Sequence, residues 1–147
     1  MKNNLEKKIE EFFLKVDPLA EVDMEWNEED NLSVNLKVED PKLFIGEGGQ
    51  TLYSIEKLLR LFARKVTGES VFLNLDINDY RRRKREQIEE KAREVADEVS
   101  ITGVEKALPP MNAFQRRIIH SELSPRKDVE TESEGEGSER HIVIKPS

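Results

Sequence analysis

The sequence predicts an α+β protein built from two small domains, each with helices packed on one face of a small three-stranded sheet. Three observations lead there. Apolar residues recur at helical spacing in some segments and alternate in others, so neither element type dominates. The pattern changes character near residue 79, which predicts domains over 1–78 and 79–147. The chain has 147 residues, room for two domains of the roughly 60–80 residues that can fold alone.

The elements follow in order. Leu5, Ile9, Phe12, Phe13 and Val16 predict an amphipathic helix over 3–16. Pro18 ends it, because the residue before proline disfavours the α region. Ala20, Val22, Met24 and Trp26 alternate with acidic residues, a half-buried strand. After the polar turn 27–31, Leu32, Val34, Leu36 and Val38 alternate with polar residues, completing a hairpin. The segment 41–45 allows one helical turn before Gly46-Glu47-Gly48-Gly49. A strong helix over 50–66 follows, with Leu52, Ile55, Leu59, Phe62 and Val66 on its core arc and Lys57, Arg60 and Arg64 opposite. Gly68 caps it, and Val71, Leu73, Leu75 and Ile77 predict a third strand.

In the second domain, Ile88, Ala92, Val95 and Val99 mark a helix over 80–100. A short strand fits 104–108, and Pro109-Pro110 interrupts it. Asn112 is placed to cap a helix over 112–123, with Phe114, Ile118, Ile119 and Leu123 inward. Val129, Thr131 and Ser133 begin a strand, 134–139 turns, and Ile142 and Ile144 lie in a last strand.

Composition excludes several function classes. Lys and Arg number 24 against 31 Asp and Glu, a net charge of −7, which argues against a simple polycationic nucleic-acid binder. The charge is uneven: −6 over 1–78 and −1 over 79–147. The chain has no Cys, which excludes disulfides, thiolate metal sites and Cys nucleophiles, and fits a reducing compartment. No apolar run reaches the roughly 18–20 residues of a membrane span, and the charged N-terminus has no apolar core of a secretory signal. No His/Cys metal spacing, HExxH or nucleophile-elbow pattern occurs, so no metal, cofactor or enzymatic activity is expected.

Three segments carry candidate binding chemistry. In the first, Ile45 to Gln50 (Ile45, Gly46, Glu47, Gly48, Gly49 and Gln50) surround a glycine cluster at the start of a helix. Glycines let backbone approach a ligand closely, and the helix start offers N–H groups to a phosphate; a tight interhelical turn is the plain alternative. No Lys-Ser/Thr follows, so this is not a nucleotide P-loop. In the second, Arg116 and His120 stand four apart, one turn apart on the same helix face, with Arg117 beside them. Arg offers a planar fork of donors to phosphate, and His donates a bond or stacks on a base. Arg140, near the last turn, is expected to face the same surface. The third is the basic run containing Arg81, Arg82, Arg83 and Arg85, an accessory patch or a solvated helix start paired with Glu86, Glu89 and Glu90. The Lys57, Arg60 and Arg64 stripe has the same two readings. Trp26 reads as packing and His141 as an outward strand residue.

The order helix–strand–strand–helix–GxxG–helix–strand resembles the KH domain. The stretches LPPMNAFQRRIIH and VETESEGEGSERHIVI look like the small nucleic-acid-binding domain named for an Arg-x-x-x-His signature, here called the RxxxH domain, with Arg116 and His120 at the signature positions. Together with IGEGGQTL and DYRRRKRE, this tandem resembles the Jag family of SpoIIIJ-associated, KhpB-like bacterial proteins. The resemblance implies a cytoplasmic single-stranded RNA-binding protein that controls cell-envelope growth and cell shape after transcription. Single-stranded DNA is the alternative ligand. It also implies a protein partner, a small single-KH protein or a second copy. In KH domains the GxxG loop clamps about four unpaired nucleotides, and Ile45 and Leu52 would flank that groove. Many members of the family carry a further N-terminal domain, whereas this sequence starts almost at the KH-like segment. The variable GxxG positions are often basic, but here they are Glu47 and Gly48, which predicts weak binding by the first domain alone. The competing function is a protein–protein adaptor using the acidic first half and the sheet edges.

Overall fold

A computed structural model describes residues Met1–Ser147. It is a mixed helix-and-sheet chain of two compact units, Met1–Arg81 and Arg82–Ser147. The first unit contains α1 (Lys2–Val16), β1 (Glu21–Trp26), β2 (Leu32–Lys37), α2 (Lys42–Ile45), α3 (Gln50–Thr67) and β3 (Leu73–Ile77). Helix α4 (Tyr80–Thr102) runs across the division. Then come β4 (Lys106–Ala107), α5 (Ala113–Leu123), β5 (Val129–Glu134) and β6 (His141–Pro146).

The first sheet has the order β1-β2-β3. β1 pairs antiparallel with β2, as the short polar turn requires. β2 and β3 are parallel, with Leu32 opposite Leu73, Val34 opposite Leu75 and Leu36 opposite Ile77. Those six side chains are fully or almost fully buried, together with Leu5, Ile9 and Phe13 of α1 and Leu52, Leu59 and Ala63 of α3. The alternating pattern thus puts one sheet face under the helices and leaves the other polar. Asn78 extends the parallel pairing beyond β3: its side-chain amide exchanges two hydrogen bonds with the Val38 backbone, at 2.9 and 2.8 Å.

The arc of α3 is rotated from its expected position. Its buried residues are Leu52, Glu56, Leu59 and Ala63, whereas Ile55, Phe62 and Val66 are only partly buried. The buried stripe lies about 50° round the helix from the expected one, and a carboxylate falls in its middle. Arg60, expected to face solvent, bends back onto β3 for the same reason.

That carboxylate closes the free edge of β3. The Leu75 N–H donates to Glu56 Oε2 at 2.9 Å. Arg81 Nε donates to the Leu75 carbonyl at 3.1 Å, and Arg60 Nε donates to the Leu73 carbonyl at 2.8 Å. Arg81 Nη2 lies 2.6 Å from Glu56 Oε2, and Arg60 Nη2 lies 3.3 Å from Oε1. Three charged side chains therefore take up backbone groups that would otherwise invite strand addition.

The second sheet has the order β4-β6-β5, antiparallel throughout. Its core joins Ala92, Val95, Ala96 and Val99 of α4 to Leu108, to Ile119 and Leu123 of α5, and to Val129, Ile142 and Ile144. Asn112 caps α5 as expected, its Oδ1 accepting from the Gln115 N–H at 2.8 Å. Phe114 is not inward; it is 60% exposed. The buried face of α5 is centred near Ile119, which turns Gln115 inward and leaves Phe114 about 120° away.

Candidate nucleic-acid interface

In the second unit the positions of the candidate residues follow from α5. Ile118, Ile119 and Leu123 fix its inner face, and Arg116 and His120 then lie half-buried along its flank, with Arg117 exposed. Arg116 Nη1 donates to the Met111 carbonyl at 2.5 Å. The Met111 N–H donates to the Arg140 carbonyl at 3.1 Å. Met111 thus links Arg116 to the start of β6 through its own backbone. Arg140 Nη1 donates in turn to the Gly135 carbonyl at 2.9 Å. Gly135, at φ 87°, has no room for a side chain, since a Cβ would meet the Glu139 carbonyl oxygen at 2.8 Å. The turn that carries Arg140 is therefore closed on its own backbone.

His120 is held from β5. Its Nδ1 lies 2.6 Å from the Thr131 hydroxyl on β5, which leaves Nε2 as the nitrogen for a ligand. A guanidinium has five N–H donors, and Arg116 and Arg140 each engage one in a carbonyl contact that orients the group. The arrangement is a pre-positioned set of cationic and imidazole donors on one domain. Its supports, Thr131 and Met111, do not stand out in the sequence. Thr131 lies in a polar alternation that shows a strand but not what its hydroxyl meets.

In the first unit, α2 ends at Ile45 and a single 3-10 turn, Glu47–Gly49, leads into α3. Gly46 has φ 72° and ψ 179°, a region open to glycine alone. A Cβ there would sit 2.2 Å from Thr51 Oγ1. Glu47, Gly48 and Gln50 are exposed, so the tip of the loop presents backbone and one carboxylate to solvent. Ile45 and Leu52 do not flank an open groove: both belong to the core, at 8% and 0% exposure. Two tyrosines adjoin the loop instead. A Cβ on Gly49 would meet the rings of Tyr53 and Tyr80 at 3.0 Å each. The Arg81 guanidinium lies over the Tyr53 ring at 5.0 Å. Burial, and then the neighbouring Tyr53, hold the Tyr80 phenol above its ordinary pKa.

The basic run is not one patch. Arg81 is engaged by Glu56 and the β3 edge. Arg82 pairs with Glu86 at 3.3 Å and Arg85 with Glu89 at 3.0 Å, both one helical turn on, while Arg83 lies exposed on α4. Trp26 packs half-buried, donating from Nε1 to Glu6 at 2.5 Å. His141 is half-buried with Nδ1 2.9 Å from the Glu139 carbonyl. No group of His, Asp or Glu is arranged to hold a metal ion, and no helix is long and apolar enough to cross a membrane.

Residues 85–146 match the R-three-H domain family. Arg116, Arg117, His120 and Arg140 all lie inside that match. Over 137 residues the chain is 37% identical to the RNA-binding protein KhpB of Clostridium symbiosum, covering 92% of this chain and 62% of that protein. It is 36% identical over 108 residues to KhpB of Bacillus subtilis, covering 72% and 52%. It is 32% identical over 112 residues to KhpB of Lactiplantibacillus plantarum, covering 76% and 35%. The chain thus spans between about a third and three fifths of the length of these relatives. The likeness to three KhpB proteins, with the domain match, supports a place in the Jag/KhpB family.

Proposed function

We propose that this chain is a single-stranded RNA-binding protein of the Jag/KhpB type, with a KH domain in its first unit and an RxxxH domain in its second. What supports this reading is that Arg116 and His120, one turn apart on α5 inside the domain match, are each held by a hydrogen bond, and that the Met111 backbone ties Arg116 to the backbone of Arg140. The order of elements and the antiparallel-then-parallel sheet around a GxxG turn support the KH assignment. Arg116, Arg117, His120 and Arg140 hold phosphates and one base, and the backbone of Gly46 to Gly49 holds a second stretch of the strand. Two tethered sites of modest strength raise overall affinity through effective concentration. In the cell the role is post-transcriptional control of envelope growth and cell shape, exerted in the bacterial cytoplasm.

The test is binding of the full chain to a randomised pool of short single-stranded RNAs, about 12 nucleotides long, at about 50 and 200 mM salt. The wild type binds, and weakens steeply with salt, because each neutralised phosphate releases counterions. A folded Arg116→Ala/His120→Ala variant binds at least about tenfold more weakly. Salt-insensitive binding, or an unchanged variant, overturns the reading. A DNA pool of the same length decides between RNA and single-stranded DNA.

A second reading, protein docking, is favoured by the helical face of the first unit. Phe12, Val16, Leu43 and Leu58 are all exposed there, and a groove of about 550 Å3 opens between α1, α2 and α3. In this reading the face takes a small single-KH protein or a second copy of the chain. The braced edge of β3 is not available to such a partner. A monomeric mass by light scattering at roughly 100 μM, and no complex with a single-KH protein, would remove it.

A further inference from the structure

We infer that the second unit carries another nucleotide subsite, a groove between α4 and the 108–111 segment that seats one base and binds its flanking phosphates through Lys84 and Lys91. This deepens the RNA-binding reading and rests on it. The groove holds about 280 Å3. Its floor is apolar: Ile88 and Ala92 of α4, Leu108 with Pro109 and Pro110, and Ile119 beneath. Its rim is polar and cationic. Lys84, Gln87 and Lys91 fall on one face of α4 by their three- and four-residue spacing, and Gln115 stands across from them on α5.

Three features choose a nucleic-acid strand as the occupant. The first is charge. Lys84 and Lys91 have no carboxylate within ion-pair distance, unlike Arg82, Arg85 and Arg93 on the same helix. Lys91 acts on Glu98 only weakly and through space, and that carboxylate has its own partner in Lys106 at 2.8 Å. The second is chemistry. An apolar floor bounded by two side-chain amides suits a base, which needs an apolar contact surface and donors and acceptors at its edge. The third is continuity. Met111 lines the groove, and the backbone of the same residue accepts from Arg116 and donates to Arg140. A strand lying on the Arg116 and Arg140 surface therefore enters the groove without leaving the domain, and Gln115 adjoins Arg116 in sequence.

The test uses the full chain and a Lys84→Gln/Lys91→Gln variant, both positions lying outside the hydrophobic core. Binding to the same randomised RNA pool is measured across about 50–200 mM salt. Loss of two phosphate contacts lowers the slope of log K against log salt by about 1.4, and weakens binding at about 0.1 M salt by about 25-fold. The same RNA carrying 4-thiouridine, photocrosslinked and mapped by mass spectrometry, attaches to Gln87, Met111 or Gln115. A wild type that binds RNA and depends on Arg116 and His120, beside an unchanged lysine variant, overturns this subsite and leaves the general reading standing. A wild type with no salt-sensitive RNA binding overturns both. If the variant keeps its RNA slope but loses an associated protein, the groove is a peptide site and the inference falls.

Discussion

Removing Arg81 is the most informative perturbation of the fold, because it leaves a buried charge behind. Glu56 is 8% exposed and sits in the apolar stripe of α3. Its Oε2 receives the Leu75 N–H and Arg81 Nη2, and its Oε1 has only Arg60, at the longer distance of 3.3 Å. In Arg81→Met the carboxylate keeps its burial and loses its closest cation, and the Leu75 carbonyl loses a donor. Breaking a fully buried pair costs about 3–5 kcal/mol. Here the Arg81 side chain is 39% exposed and Arg60 remains. The expected cost is therefore about half, roughly 2 kcal/mol. For a unit of this size that is about 8–16 °C in Tm, or roughly 2 M in urea midpoint. The single Trp of the chain, Trp26, lies in β1, so its fluorescence reports the first unit alone. Glu56→Gln keeps an acceptor for Leu75 and removes the charge, at about 1 kcal/mol. In that background Arg81→Met costs under about 1 kcal/mol, because no buried charge is stranded. A midpoint shift below roughly 0.5 M for Arg81→Met, or an equal cost in both backgrounds, would refute the account.

Three further outcomes are expected. Gly46→Ala destabilises the first unit by about 2–4 kcal/mol, because strain adds to a 2.2 Å approach to Thr51; Gly48→Ala, with open space around it, costs only the roughly 1–2 kcal/mol of its backbone conformation. Urea titration of Trp26 fluorescence separates the two. In the second unit, Arg126 and then Ser100 hold the Asp128 carboxyl well below its ordinary range. Its contribution is present above the ordinary value of about 3.9 and is lost as pH falls towards the folded value, so circular dichroism between about pH 5 and 2 shows a loss that Asp128→Asn lacks. Glu47→Lys replaces the only charge at the glycine turn and raises RNA affinity about fivefold or more at about 0.1 M salt; an unchanged constant in filter binding would mean that this turn does not meet phosphate.

Most of the fold is legible in the sequence because its elements differ in period. The β2 and β3 alternations fall on the buried face residue by residue, and the Asn112 cap is where a short polar side chain before an apolar run must act. The burial of Glu56 escapes such a reading, although the helical wheel carries the signal: it lies four residues after Leu52 and three before Leu59, inside the stripe. Averaging over apolar residues alone hides such a position, since the partners that make its burial tolerable come from β3 and from Arg81. The same limit applies to the basic run. Arg81 to Arg85 looks uniform in sequence, yet Arg81 closes a sheet edge while Arg82 and Arg85 pair along the helix. Arg116, His120 and Arg140 are candidates by type and spacing, whereas the contacts that hold them, Met111 with Arg116 and the Arg140 backbone, and Thr131 with His120, leave no local pattern.

A net charge of −7 and binding to a polyanion are compatible once distance enters. At about 0.1 M salt a charge is screened beyond about 10 Å, so a strand feels the residues beside it and not the total. On the open sheet face of the first unit, Glu21, Asp23, Asp76 and Asp79 line a groove of about 390 Å3 with Lys37 as its one cation, a surface that repels phosphate. The glycine turn adds Glu47 and no cation of its own. The second unit carries the candidate residues Arg116, Arg117, His120 and Arg140, and the α4 groove adds Lys84 and Lys91. On the proposed RNA-binding reading, the electrostatic part of affinity is expected in the second unit, with the first contributing backbone contacts that depend little on salt. A steep salt slope that collapses with the Arg116 and lysine variants, and that Glu47→Lys makes steeper, is the pattern this division of labour requires.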